Sequence, residues 1–102
     1  MEEFNIKVEE RVVAGKAEIN RLKKEGMVPG MLYGQGENVP VALGNHELKT
    51  ILDRNGDDIF LNLNLHGRQI KSRMQEVQRD PITREIKHID LISTEDLITI
   101  VH

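Results

Sequence analysis

Two residues that could do acid–base chemistry stand two apart, His88 and Asp90, inside the stretch EVQRDPITREIKHIDL at 76–91. A carboxylate beside an imidazole can orient it as a general base, and Ser93 is a conceivable nucleophile nearby. Positions three apart on a strand point to opposite faces, however, which separates Ser93 from the pair. Two other readings of His88 and Asp90 stay open: a structural contact in which each satisfies the other, or a pair turned outward to read a ligand. The four histidines, at 46, 66, 88 and 102, show neither HxxxH nor HExxH spacing, so no metal site is expected from a single element. YGQGENVP contains GxG without the third glycine or the following helix that a dinucleotide loop requires. No cofactor and no small-molecule substrate are expected, and a small hydrolase built on His88 and Asp90 lacks both a nucleophile and pocket residues.

The elements that must position these residues are mostly strands. FNIKV alternates with Phe4, Ile6 and Val8 on one face, and FLNLNLH does so with Leu61, Leu63 and Leu65. MLYG and NVPVALG read as shorter strands, with Pro40 favouring an edge because it donates nothing to a ladder. A first helix is predicted from Gly15 to Glu25, stopping at Gly26, with Ile19 and Leu22 as its apolar stripe and Lys16, Asn20 and Lys24 on its polar face. A second runs from an Asn45 cap through Leu48, Ile51 and Leu52 to RNG, where Gly56 suits a left-handed residue. Gly67 marks a turn. Met74 and Val77 break period two, which predicts a bulge, and beyond Pro81 and a turn at Thr83 and Arg84 the strand resumes with Ile89 and Leu91 on one face and His88 and Asp90 on the other. This order lacks the regular strand–helix exchange of a parallel sheet. It predicts a mainly β domain with two helices, a small closed or partly open antiparallel β-barrel.

Composition bounds the function. The 102 residues make one small domain, too short for the two-domain cleft of most enzymes. Hydrophobic content of 38% suits a soluble globule, no run is long and apolar enough to cross a membrane, and the start MEEFNIKVEE does not read as a signal peptide. Cysteine is absent, which excludes disulfides and thiolate chemistry and agrees with a cytoplasmic location. Net charge is −3, yet residues 11–34 and residues 68–88 each carry three more bases than acids. Two basic segments in an otherwise acidic chain form one positive face if folding brings them together. Aromatic content of 3% argues against stacking platforms for single strands and favours structured, helical RNA.

Two blocks carry a resemblance. R…GK…RLK…G.VPGMLYGQG at 11–36 and EVQRDPITREIKHIDLI at 76–92 are similar to the bacterial 5S-rRNA-binding ribosomal proteins of the large subunit, the L-twenty-five family that includes the general stress protein Ctc. The similarity spans nearly the whole chain, and the second block is the more specific. It implies a β-barrel flanked by helices that grips the loop E region of 5S rRNA in the cytoplasmic ribosome, with the sheet toward the minor groove and the first helix toward a widened major groove. It assigns RNA contact to Arg11, Lys16, Arg21 and Lys23, to Tyr33 of the YG motif, and to Gln78, Arg79, His88 and Asp90. Lys23 replaces a frequent arginine, Ala17 stands where the family usually has the second glycine of GKG, and Glu18, Ile19 and Asn20 replace a stretch commonly small and then basic. Weaker phosphate binding is expected from that helix. The runner-up is a stress-related β-barrel that binds a protein and has lost RNA binding.

The tail STEDLITIVH at 93–102 is apolar at Leu97, Ile98, Ile100 and Val101. It predicts a strand, at 94–102, that links to a second domain in longer family members or mediates weak self-association.

Overall fold

The computed structural model describes residues 3–11, 15–35 and 37–96. Along the chain these form β1 (Glu3–Glu10), α1 (Lys16–Lys24), β2 (Met27–Gln35), β3 (Glu37–Gly44), α2 (Asn45–Asn55), β4 (Phe60–Leu65), β5 (Arg68–Arg79) and β6 (Ile86–Asp96). The strands close into a six-stranded barrel in the order β1-β3-β2-β6-β5-β4. The expected small β-barrel with two helices is therefore present. Its pairing is mixed, which corrects the antiparallel pairing expected from sequence: β1 with β4 and β2 with β6 run parallel, and the other four seams are antiparallel.

Period-two alternation puts one row of each strand inside. Ile6 and Val8, Val28 and Leu32, Val39, Val41 and Leu43, Leu61, Leu63 and Leu65, Ile70 and Met74, and Ile89 and Leu91 make the core, to which α2 adds Leu48 and Leu52. The opposite rows face outward. α1 covers part of this outer wall, burying Leu22 near Ala42, which is itself fully buried although it lies on the outward row of β3.

Turn chemistry follows the local residues. His66 and Gly67, with φ of 53° and 75°, make the two-residue connection between Leu65 and Arg68, the positive-φ pair that matches strand twist. Gly26 and Gly56 take φ of 72° and 77° just beyond the helices. The predicted bulge is present: Met74 pairs with Leu91 but Glu76 with Asp90, so Gln75 is the extra residue. In the β5–β6 connection Asp80 Oδ1 accepts from the backbone N–H groups of Ile82 and Thr83 at 2.8 and 3.0 Å, which hold its carboxyl below the ordinary value.

Two further expectations are corrected. Pro40 does not lie on an edge strand, because β3 is paired on both sides; it sits where the β1 ladder ends, and its carbonyl accepts from Arg11 N–H at 3.0 Å. Asn45 is not the cap of α2. Strand β3 runs straight into the helix, Gly44 takes the cap position, and Asn45 instead donates its backbone N–H to Gly26 O at 2.8 Å. The tail expectation at 94–102 lies largely outside the described residues: β6 continues to Asp96, and 97–102 are not described.

Strands β2 and β6 approach closely at Gly30. A Cβ on Gly30 would lie 2.8 Å from Ile89 Cγ1 and 2.9 Å from the Ile89 carbonyl oxygen. The carbonyl belongs to a paired strand and cannot swing away, so Gly30→Ala is expected to destabilise the barrel by about 1–3 kcal/mol in urea denaturation. An unchanged midpoint would show that this seam yields.

Candidate nucleic-acid interface

The parallel seam and the bulge together build one outward face from β2, β6 and β5. With Ile89 and Leu91 inside, His88, Asp90 and Ile92 point out along β6. Gln78 lies opposite His88, Glu76 and Met31 flank Asp90, and Arg73 and Tyr33 flank Ile92. Four of the residues singled out by sequence, Tyr33, Gln78, His88 and Asp90, thus share one three-stranded patch. Gln75, an exposed amide on the bulge beside it, was not among them. Its only sequence signal is the break in period between Met74 and Val77.

His88 Nδ1 stands 3.5 Å from Asp90 Oδ1, close enough for attraction. That oxygen is buried and nevertheless accepts no hydrogen bond from the described residues. The side chains are 31% and 17% exposed, so the pair is neither sealed in the core nor fully solvated. An acceptor left in this state costs about 1–3 kcal/mol, which a donor brought onto the face would relieve. Ser93 lies inside the barrel, 4% exposed, on the opposite side of β6 from the pair, so no hydrolytic triad forms. Among the described residues no three histidine, aspartate or glutamate side chains cluster as metal ligands.

The basic residues differ in what already holds them. Arg11 is tied to Glu18 at 2.8 Å and to Val41 O at 3.1 Å, with side-chain exposures of 9% and 8% for the ion pair, so it latches the end of β1 to α1. Glu18, the acidic departure in the first helix, is thereby neutralised inside the fold. Arg21 pairs with Glu25 one turn on along the exposed side of α1. Lys16 and Lys23 are exposed and make no ion pair with the described residues. Arg79 grips Asp57 through two hydrogen bonds of 2.8 and 2.9 Å, a partner 22 positions away that sequence reasoning did not find. The α1 ridge lies alongside the three-stranded patch, because Ala42, the residue near its Leu22, pairs with Pro29 on β2.

The hydrogen-bonded Arg79 guanidinium holds the Asp57 carboxyl below its ordinary value, and Asp57 in turn raises Arg79. A depressed carboxylate stabilises the fold fully above its unfolded pKa of about 4, and that contribution is lost as pH falls through the lower folded value. Carboxyl NMR should therefore find Asp57 titrating below the ordinary aspartate value, and Arg79→Ala should return it to the ordinary range. A titration unaffected by the substitution would mean that the clamp does not persist in solution.

Residues 6–91 match the Ribosomal L25p family. Among curated relatives, the large ribosomal subunit protein bL25 of Bacillus licheniformis is 37% identical over 86 residues, covering 83% of this chain and 41% of that protein. The bL25 of Listeria monocytogenes serotype 4b is 32% identical over 91 residues, with 88% and 44% covered, and that of Thermodesulfovibrio yellowstonii 31% over 93 residues, with 90% and 44% covered. The chain spans less than half the length of these relatives. With the family match covering most of the barrel and both blocks of the outward face, the chain belongs to the ribosomal L25p family.

Proposed function

We propose that this chain is an RNA-binding component of the large ribosomal subunit, acting in the cytoplasm without catalysis, and that it grips the loop E region of 5S rRNA. The observation that carries the reading is the Asp90 carboxylate oxygen, buried and without a hydrogen-bond donor among the described residues, on an outward face it shares with His88, Gln78 and Tyr33. A-form RNA presents sugar hydroxyls and base edges across a wide, shallow minor groove, where a twisted sheet can lie. Asp90 accepts from a 2′-hydroxyl or a guanine amino group, Gln78 both donates and accepts, and His88 lies beside them with its Nδ1 3.5 Å from Asp90 Oδ1. Lys16, Arg21 and Lys23 on α1 supply phosphate contacts. Arg79 joins them by exchanging Asp57 for a phosphate, while Arg11 contributes chiefly by fixing α1. The printed names of the relatives, large ribosomal subunit proteins, support the same reading.

The test is a titration of the chain with a loop E hairpin at several salt concentrations. Binding with a negative salt slope is expected, and His88→Ala or Asp90→Ala should cost about 1–3 kcal/mol and erode the preference for loop E over a plain duplex. Arg21→Ala and Arg79→Ala should instead weaken binding to both RNAs and flatten the slope by about one unit each. No binding at low salt would overturn the proposal and favour a protein-interaction module. Loss of the circular dichroism of the barrel in a His88 or Asp90 variant would assign that residue to the fold.

A further inference from the structure

Beyond the His88 and Asp90 rows, four outward residues fall on one line across four neighbouring strands. Tyr33 pairs with Ile92, Ile92 with Arg73, and Arg73 with Phe60. With strands about 4.8 Å apart, the line runs roughly 14 Å over the wall of the barrel. Ile92 is one of two large apolar side chains left exposed among the described residues, at 45%, and Lys71 holds its ammonium 5.0 Å over the Phe60 ring. Together these five residues line an open groove of about 730 Å³. An apolar and aromatic floor with two cations along it suits a nucleic-acid strand, with ribose rings on the floor and phosphates at Lys71 and Arg73.

We infer that this groove is a second RNA subsite, which takes the sugar–phosphate backbone of a strand whose base edges lie over His88 and Asp90. The inference rests on the RNA-binding reading and extends its footprint to Lys71, Arg73, Phe60 and Ile92. Continuity supports it, because Ile92 follows Asp90 on the same row of β6 and Tyr33 belongs to both patches. So does the state of the cations. Lys71 pairs with Glu3 at 2.8 Å and Arg73 with Asp58 at 3.3 Å, each cation 57% exposed. Exposed pairs of this kind contribute little and are screened by salt, so a phosphate displaces the carboxylate at small cost.

The experiment uses the whole chain and the loop E hairpin RNA. Arg73→Gln and Lys71→Gln are each expected to flatten the salt slope by about one unit and to weaken loop E and plain duplex alike, leaving discrimination between them at the wild-type level. Thermal denaturation checks that both variants fold, and Arg73→Gln leaves the Lys71 and Phe60 contact untouched if Lys71→Gln does not. The chain has a single tyrosine, so 3-fluorotyrosine labelling places one ¹⁹F resonance in the groove. That resonance should shift on saturation with RNA. Unchanged slopes for both variants, in a protein whose Tyr33 resonance still moves with RNA and whose loop E preference still depends on His88, would overturn this inference alone and leave the first reading standing. Absence of any RNA binding by the wild-type chain would overturn both.

Discussion

The parallel seam between β2 and β6 is the constraint on which the outward face depends. It forms because Gly30 has no side chain, so that Ile89 and its carbonyl can lie where a Cβ would otherwise be. With Ile89 and Leu91 seated in the core, period-two alternation turns His88, Asp90 and Ile92 outward. The same register sets Met31 and Tyr33 beside them from β2, and the bulge in β5 brings Gln78 opposite His88. A slip of one residue in β6 would exchange the two rows, sending Asp90 into a hydrocarbon core and Ile89 into water. Core packing and the recognition surface are thus two sides of one strand.

Charge is distributed by a second rule. The chain is acidic overall, and most of its arginines on or near the face already hold a carboxylate. These pairs are not equivalent. Opening the enclosed Arg11 and Glu18 pair leaves an uncompensated charge, so it is a fixed part of the fold. The exposed pairs of Arg21, Lys71 and Arg73 contribute little and can be exchanged for another anion at small cost. Arg79 lies between, because its two-pronged grip on Asp57 is better formed than the others. Under the proposed reading, RNA replaces internal partners rather than meeting bare charges.

What could be read in the sequence was what depends on near neighbours. Alternation identified the inward rows of β1, β4 and β6, the break between Met74 and Val77 located the bulge, and Gly26, Gly56 and Gly67 marked their turns. Parallel seams escaped, because Gly30 and Ile89 meet across 59 positions and nothing local to either strand states its direction. Asn45 and Pro40 misled for one reason: each was judged from its own preferences, whereas strand β3 continues through Pro40 and into α2. In the candidate site, spacing placed His88 and Asp90 on one face and the family resemblance singled out the other residues. Neither could show that Arg11 is enclosed by Glu18 or Arg79 held by Asp57, since those pairings arise only when the barrel closes.

Under the proposed reading, Asp90 is the least economical residue on a surface that receives a polyanion. It lies opposite another acid, Glu76, and its partly enclosed oxygen accepts nothing from the described residues. Both features oppose phosphate, and an aliphatic residue there would remove both penalties. Their presence makes sense if the patch discriminates: a backbone laid across it is repelled, whereas a groove that presents a hydroxyl or amino donor at that point relieves the unsatisfied acceptor. The cations of α1 and of the Tyr33 to Phe60 row lie to either side, where phosphates can be received without crossing the acids. In the proposed complex, an acidic reading centre bordered by exchangeable bases divides the work, leaving attraction to the borders and selectivity to the centre. Under the proposed reading, this arrangement lets a chain of net negative charge select RNA: its own carboxylates hold affinity down, and a ligand that satisfies Asp90 recovers what they withhold.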